Sequence, residues 1–89
     1  MNTEEFEAAV RAECNTLADM LVEKNRAYGN SALSPVRIFS KSPIEEQILV
    51  RIDDKLSRLA RGNNAGEDVI FDLLGYLILL RIARQSKKL

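Results

Sequence analysis

Apolar residues recur at helical spacing in three stretches of this chain, separated by one polar segment and one short turn. From Thr3 to Lys24, Phe6, Val10, Leu17 and Leu21 share a face, with Ala9, Cys14 and Met20 beside it, which predicts an amphipathic helix. Asn2 followed by Glu5 resembles a capping box, and Gly29 is the natural stop. A second helix is predicted to end at Arg61 before Gly62. Its start is marked by Ser42 as N-cap, Pro43 at the first helical position and Glu45 completing the box. Ile48, Leu49, Ile52, Leu56 and Leu59 form its expected buried face. Asp53 and Lys55 fall near that face, whereas Asp54 and Arg58 are spaced for an exposed pair one turn apart. The segment 62–66, GNNAG, reads as a turn, after which Asn64 and Glu67 offer a cap for a third helix reaching Gln85. So short a turn predicts that helices two and three pack antiparallel.

The third helix carries the least ordinary residue. Asp72 is the one charge between Val69 and Leu80, and a carboxylate drawn into apolar surroundings must be paired, protonated or bound to a metal. Asp68, Asp72, Tyr76 and Leu79 lie along one stripe with Gly75 beside it, as the wall of a site would. The structural alternative is a buried ion pair between Asp72 and an arginine of a neighbouring helix. For Gly75, close helix packing is the expected role, because glycine weakens a helix interior. The rest of this helix is apolar nearly all the way round. It is therefore expected to be central, covered by the other two helices and by a partner subunit.

Between Gly29 and Ser42 the chain has Pro35, four serines and no regular period. Leu33, Val36, Ile38 and Phe39 are expected to pin this segment as an ordered loop. No acid occurs between Lys24 and Ile44, while Lys24, Arg26, Arg37 and Lys41 lie within that stretch or at its edge. An anionic guest is the natural expectation. Lys24, Asn25, Tyr28, Asn30 and Ser31 add amide, aromatic and hydroxyl groups that suit a base with an attached phosphate. The alternative is a helix stop in which Asn25 and Tyr28 only brace the loop.

Composition narrows the classes. Thirteen basic and thirteen acidic residues cancel, so bulk attraction to nucleic acid or to an anionic membrane is not indicated. The chain has no histidine and a single cysteine, which removes imidazole metal sites, Cys-His nucleophile pairs and an internal disulfide. Cys14 is expected to be a small core filler. The N-terminal residues are acidic where a secretory signal is basic, and no apolar run is long enough to span a bilayer, so a cytoplasmic location is expected. At 89 residues, one small domain with a marginal core points to self-association.

Three blocks, KNRAYGNSALSPVRIFSK at 24–41, RIDDKLSRL at 51–59 and EDVIFDLLGY at 67–76, occur in the order found in a small phage and prophage family. In that order they resemble the nucleotide modification associated domain. The resemblance spans about residues 20–83 and implies an all-α domain associated with nucleotides, and the basic loop points to one that binds or sequesters a nucleotide or a nucleotide-derived signal. A more distant likeness is to the MazG-type all-α pyrophosphatases, which hold magnesium on acidic blocks of adjacent helices. Glu45 and Glu46 imitate the first block, but Leu49 stands at its third acidic position, and Asp68 and Asp72 are spaced by four rather than three. That likeness implies magnesium as cofactor, with Asp53, Asp54, Asp68 and Asp72 as ligands and a pyrophosphohydrolase activity. The favoured expectation is nucleotide binding without turnover by a homo-oligomer, at Lys24, Asn25, Tyr28, Asn30, Ser31, Arg37, Lys41, Asp72 and Tyr76.

Overall fold

A computed structural model describes residues 1–62 and 65–86, and these form three helices without a strand: α1 (Thr3–Ala27), α2 (Ile44–Arg61) and α3 (Val69–Ser86). At the start of α1 the Asn2 side-chain oxygen accepts the Glu5 backbone N–H at 2.8 Å. Glu4 and Glu5 in the first turn complement the positive end of the helix. The helix continues past Lys24 to Ala27, and the Tyr28 N–H closes it on the Lys24 carbonyl at 2.9 Å. Gly29 then reverses the chain with φ at 62°, a conformation that glycine adopts without steric cost.

Two helix starts differ from expectation by a small shift. Pro43, not Ser42, occupies the N-cap of α2, and no side chain caps that end. The Gln47 amide instead donates to the Ser42 carbonyl at 2.8 Å and ties down the entering chain. At α3 the cap is Asp68, whose carboxylate accepts the Phe71 N–H at 3.0 Å. Glu67 therefore lies outside the helix, and Asn64 lies outside the described residues.

The core is the seam between α2 and α3, where Ile48 and Ile52 meet Leu80 and Ala83. Leu33, Ile44, Leu49, Leu73, Tyr76 and Leu79 pack around them. Burial on α2 follows Ile48, Ile52 and Lys55, a four-then-three spacing that keeps one stripe against α3. Leu56 and Leu59, expected on that face, are instead 47% and 46% exposed: Leu56 sits about 100° round the helix from Lys55, and Leu59, in line with the stripe, falls in the last turn of α2. Asp53 is exposed as well. The first turn of α2 reaches the last turn of α3 through Glu45 and Arg84, and the last turn of α2 reaches Glu67 through Arg58.

α3 also receives α1. An added Cβ on Gly75 would meet Leu21 Cδ2 at 3.2 Å and Met20 Cε at 3.3 Å, with Leu17 Cδ1 at 3.9 Å, so the glycine marks the closest approach of the two helices. That contact uses only the C-terminal half of α1. Phe6 and Val10, on the same stripe as Leu17 and Leu21, are 59% and 45% exposed. Cys14 is exposed rather than buried, because no element packs on that part of the helix. The radius of gyration is 15.1 Å, against about 12 Å for a compact chain of this length.

In the 29–42 loop Leu33 packs on the core, but Val36, Ile38 and Phe39 stand exposed. The loop is therefore pinned at one end, not along its length. Among the described residues, no helix is long and apolar enough to cross a membrane.

Candidate functional site

The buried stripe of α2 ends on Lys55, 8% exposed and the one charged side chain among the buried described residues. An ammonium in that position demands compensation. Two acids supply it: Glu67 Oε2 lies 3.0 Å from Nζ and Asp72 Oδ2 3.5 Å. Arg58, one turn along on α2, donates to the same Glu67 oxygen at 2.9 Å and pairs with Asp54 at 3.3 Å. Lys24, from the end of α1, adds a weaker attraction for Glu67. The second and third sequence blocks thus meet in a charge cluster, with Lys24 of the first block beyond ion-pair distance.

The Lys55 hydrogen bond and the neighbouring positive charges hold the Glu67 carboxyl below its ordinary range. Reciprocally, the Glu67 hydrogen bond raises Lys55 above its ordinary value against the opposing effect of burial. Asp72 accordingly has its partner, and the partner is a lysine rather than the arginine of the structural alternative. Further along the stripe, Tyr76 and Leu79 pack on the core. The stripe faces α2 and forms an interhelix seam instead of an open wall.

Sequence reasoning assigned Glu67 to capping alone and so missed the residue that joins the cluster. The available signal was its position just before the helix, where a side chain is free to turn back toward α2. A shallow surface cleft beside it is lined by Arg58, Leu59, Gly62, Asp68 and Val69.

The four acids named as magnesium ligands are dispersed. Asp54 is engaged by Arg58, Asp68 caps α3, Asp72 faces Lys55 and Asp53 is exposed. Among the described residues no group of three or more acids and thiols converges as a metal would require. This donor set in a single chain does not fit a magnesium cage.

The second group of candidates surrounds the turn after α1. Asn25 Nδ2 donates to Asn30 Oδ1 at 2.7 Å while the Asn30 N–H donates to the Asn25 carbonyl at 3.0 Å. These two asparagines clamp the reversal, and Asn30, with φ at 63°, is a residue type that tolerates the left-handed region. Tyr28 and Ser31 are exposed beside the clamp. Arg37 is also left-handed, with φ at 60°, and its carbonyl accepts the Lys41 ammonium. Lys24, Arg37 and Lys41 are exposed, and no carboxylate among the described residues lies within ion-pair distance of them. Lys55, Arg58 and Arg84, by contrast, are all paired.

No family model, curated protein or solved structure matches this chain.

Proposed function

We propose that this chain is a nucleotide-binding module that captures a nucleotide or a nucleotide-derived signal without turnover and works as a homo-oligomer. The observation that carries the reading is the division of the cations. Lys55, Arg58 and Arg84 are neutralised by acids, whereas Lys24, Arg37 and Lys41 border an acid-free segment and make no ion pair among the described residues. An anion gains most from cations that have no competing carboxylate. Tyr28 offers a ring for a base, Ser31 a hydroxyl for phosphate, and the Asn25–Asn30 clamp fixes the turn that carries both. A left-handed Arg37 fits a ligand loop, since strained backbone is often kept where it positions a binding group.

In this reading α2 and α3 are an antiparallel pair. Contacts of Glu45 with Arg84 at one end and of Arg58 with Glu67 at the other support that arrangement. The seam is the scaffold, and the 24–41 block is the binding surface. The resemblance to the phage and prophage family gives the nucleotide class, and a cytoplasmic setting belongs to the same proposal.

The test is a thermal-shift panel of mononucleotides, dinucleotides and cyclic dinucleotides, each with and without magnesium, followed by titration of any hit. Binding to the folded state alone raises the melting temperature. Lys24→Ala is expected to weaken a nucleotide about tenfold and the matching nucleoside far less, because the lost contact is with phosphate. Equal losses for both would remove Lys24 from the site. Magnesium-dependent release of pyrophosphate would replace the binding reading with the pyrophosphohydrolase one.

A further inference from the structure

The N-terminal half of α1 stands without support from its own protomer. The helix meets α3 around Leu17, Met20 and Leu21, and every residue from Thr3 to Thr16 is exposed. Isolated helical stretches of about 12–15 residues are marginal in water, so this arm gains stability from being covered. The protomer as a whole exposes 7016 Å², against about 5,200 Å² for a folded monomer of 10.0 kDa. Phe6 and Val10 continue the stripe that Leu17 and Leu21 turn toward α3, and acids edge it. Glu13 lies about 50° to one side of that stripe and Glu7 about 70° to the other, with Arg11 further round at about 110°. Neither Glu7 nor Glu13 makes an ion pair among the described residues.

A surface of the opposite sign occurs on the same chain. The 29–42 loop exposes Val36, Ile38 and Phe39 by 78%, 68% and 97%, interleaved with Arg37 and Lys41. Although the chain is neutral, its charge is separated along its length: residues 1–23 hold six acids and one base, and residues 24–44 hold four bases and no acid. We infer that the α1 arm of one copy lies on the loop of another, Phe6 and Val10 against Val36, Ile38 and Phe39, with Glu7 and Glu13 facing Arg37 and Lys41.

Charge decides for this arrangement over an arm paired with its own copy. In an antiparallel pair centred on Val10, Glu7 would face Glu13, and in a parallel pair each acid would face itself. Arm on loop instead sets opposite charges together. Within one protomer the two surfaces stay apart: Phe6 is about 30 Å along the helix from Ala27, and Leu33 holds the loop on the core. A contact between two different surfaces of one chain is heterologous and closes a ring where the rotation allows. It rests on the assembly part of the proposed function and not on nucleotide capture; arm and ligand share Arg37 and Lys41, while Lys24 is left to the ligand.

Sedimentation equilibrium at micromolar concentration without nucleotide tests the contact. The chains compared are wild type, an arm variant (Glu7→Lys with Glu13→Lys), a loop variant (Arg37→Glu with Lys41→Glu) and the combination of all these changes. The wild type is expected at a multiple of 10.0 kDa. Each double variant should have a lower mass, its association weakened at least about tenfold. The combined chain, and an equimolar mixture of the two double variants, should regain the wild-type mass because opposite charges face each other again. That recovery separates a lost contact from a lost fold. A wild-type mass of 10.0 kDa overturns the contact together with the assembly. A double variant that keeps the wild-type mass, or a mixture that does not recover it, overturns the contact alone. Nucleotide capture is read separately in the thermal-shift panel, so a chain that recovers mass in this way yet binds no nucleotide keeps the contact and loses the ligand.

Discussion

Lys55 illustrates how one residue changes the meaning of its neighbours. It sits where a leucine would ordinarily complete the α2 stripe, and Glu67 and Asp72 make its burial tolerable. Since Glu67 is the nearer acid, Asp72→Asn removes only part of the compensation and is expected to cost about 1 kcal/mol by chemical denaturation. Removing both acids should cost more than the sum of the single losses, because only then is the ammonium left unpaired. An additive double variant would show that Lys55 escapes to solvent. The pH dependence follows from the same pair. Glu67 is depressed, so its contribution is complete above the ordinary carboxylate value of 4.5 and fades as pH falls through its lower folded value. Lys55 is raised, so its contribution is complete below 10.5 and fades as pH rises through its higher folded value. The melting-temperature gap between wild type and Glu67→Gln should therefore be widest on the plateau between these limits and close on the acid side. A gap that persists at low pH would assign the stabilisation to packing.

At the scale of elements, the docking of α1 depends on the notch at Gly75. The atoms that an added methyl group would meet are the ends of flexible side chains, Leu21 Cδ2 and Met20 Cε. Gly75→Ala should therefore be nearly neutral, since the gain in helix propensity, about 1 kcal/mol, offsets the crowding. Gly75→Leu should detach α1 while the α2–α3 seam survives, a change that amide exchange can follow helix by helix. Uniform loss of protection would mean that the three helices unfold as one unit. The Asp68 cap is the other element-level control. Asp68→Ala is expected to cost about 1 kcal/mol in urea titrations and to leave the loop after α1 undisturbed.

For the whole molecule, stability and association are expected to be linked. The α2–α3 core has few buried residues, and the exposed stripes of α1 and α3 lie outside it. If other copies cover those stripes, melting temperature should rise with protein concentration, because association favours the folded state by mass action. Differential scanning calorimetry over a hundredfold dilution checks this. A midpoint independent of concentration would indicate a protomer that is stable alone.

What the sequence by itself determined was local. Helical periodicity, the Asn2 cap and the glycine stops at Gly29 and Gly62 are set by residues within a few positions of one another, and the three helices appear within a few residues of where those signals put them. The Asp54–Arg58 pair was legible for the same reason. The candidate site was legible only in its parts. The acid-free 24–44 segment is a fact of sequence, but the exposure of Val36, Ile38 and Phe39 is not. Only the tertiary structure decided that Asp72 meets Lys55, that Glu67 gathers Lys55 and Arg58, and that Cys14 lies on an uncovered stretch of α1. Those outcomes depend on which of several similar faces each helix turns inward. Leu56 and Lys55 are one residue apart, and a rotation of about 100° exchanges the buried position between them. The choice is settled by the sum of contacts across the seam, which no window of sequence contains.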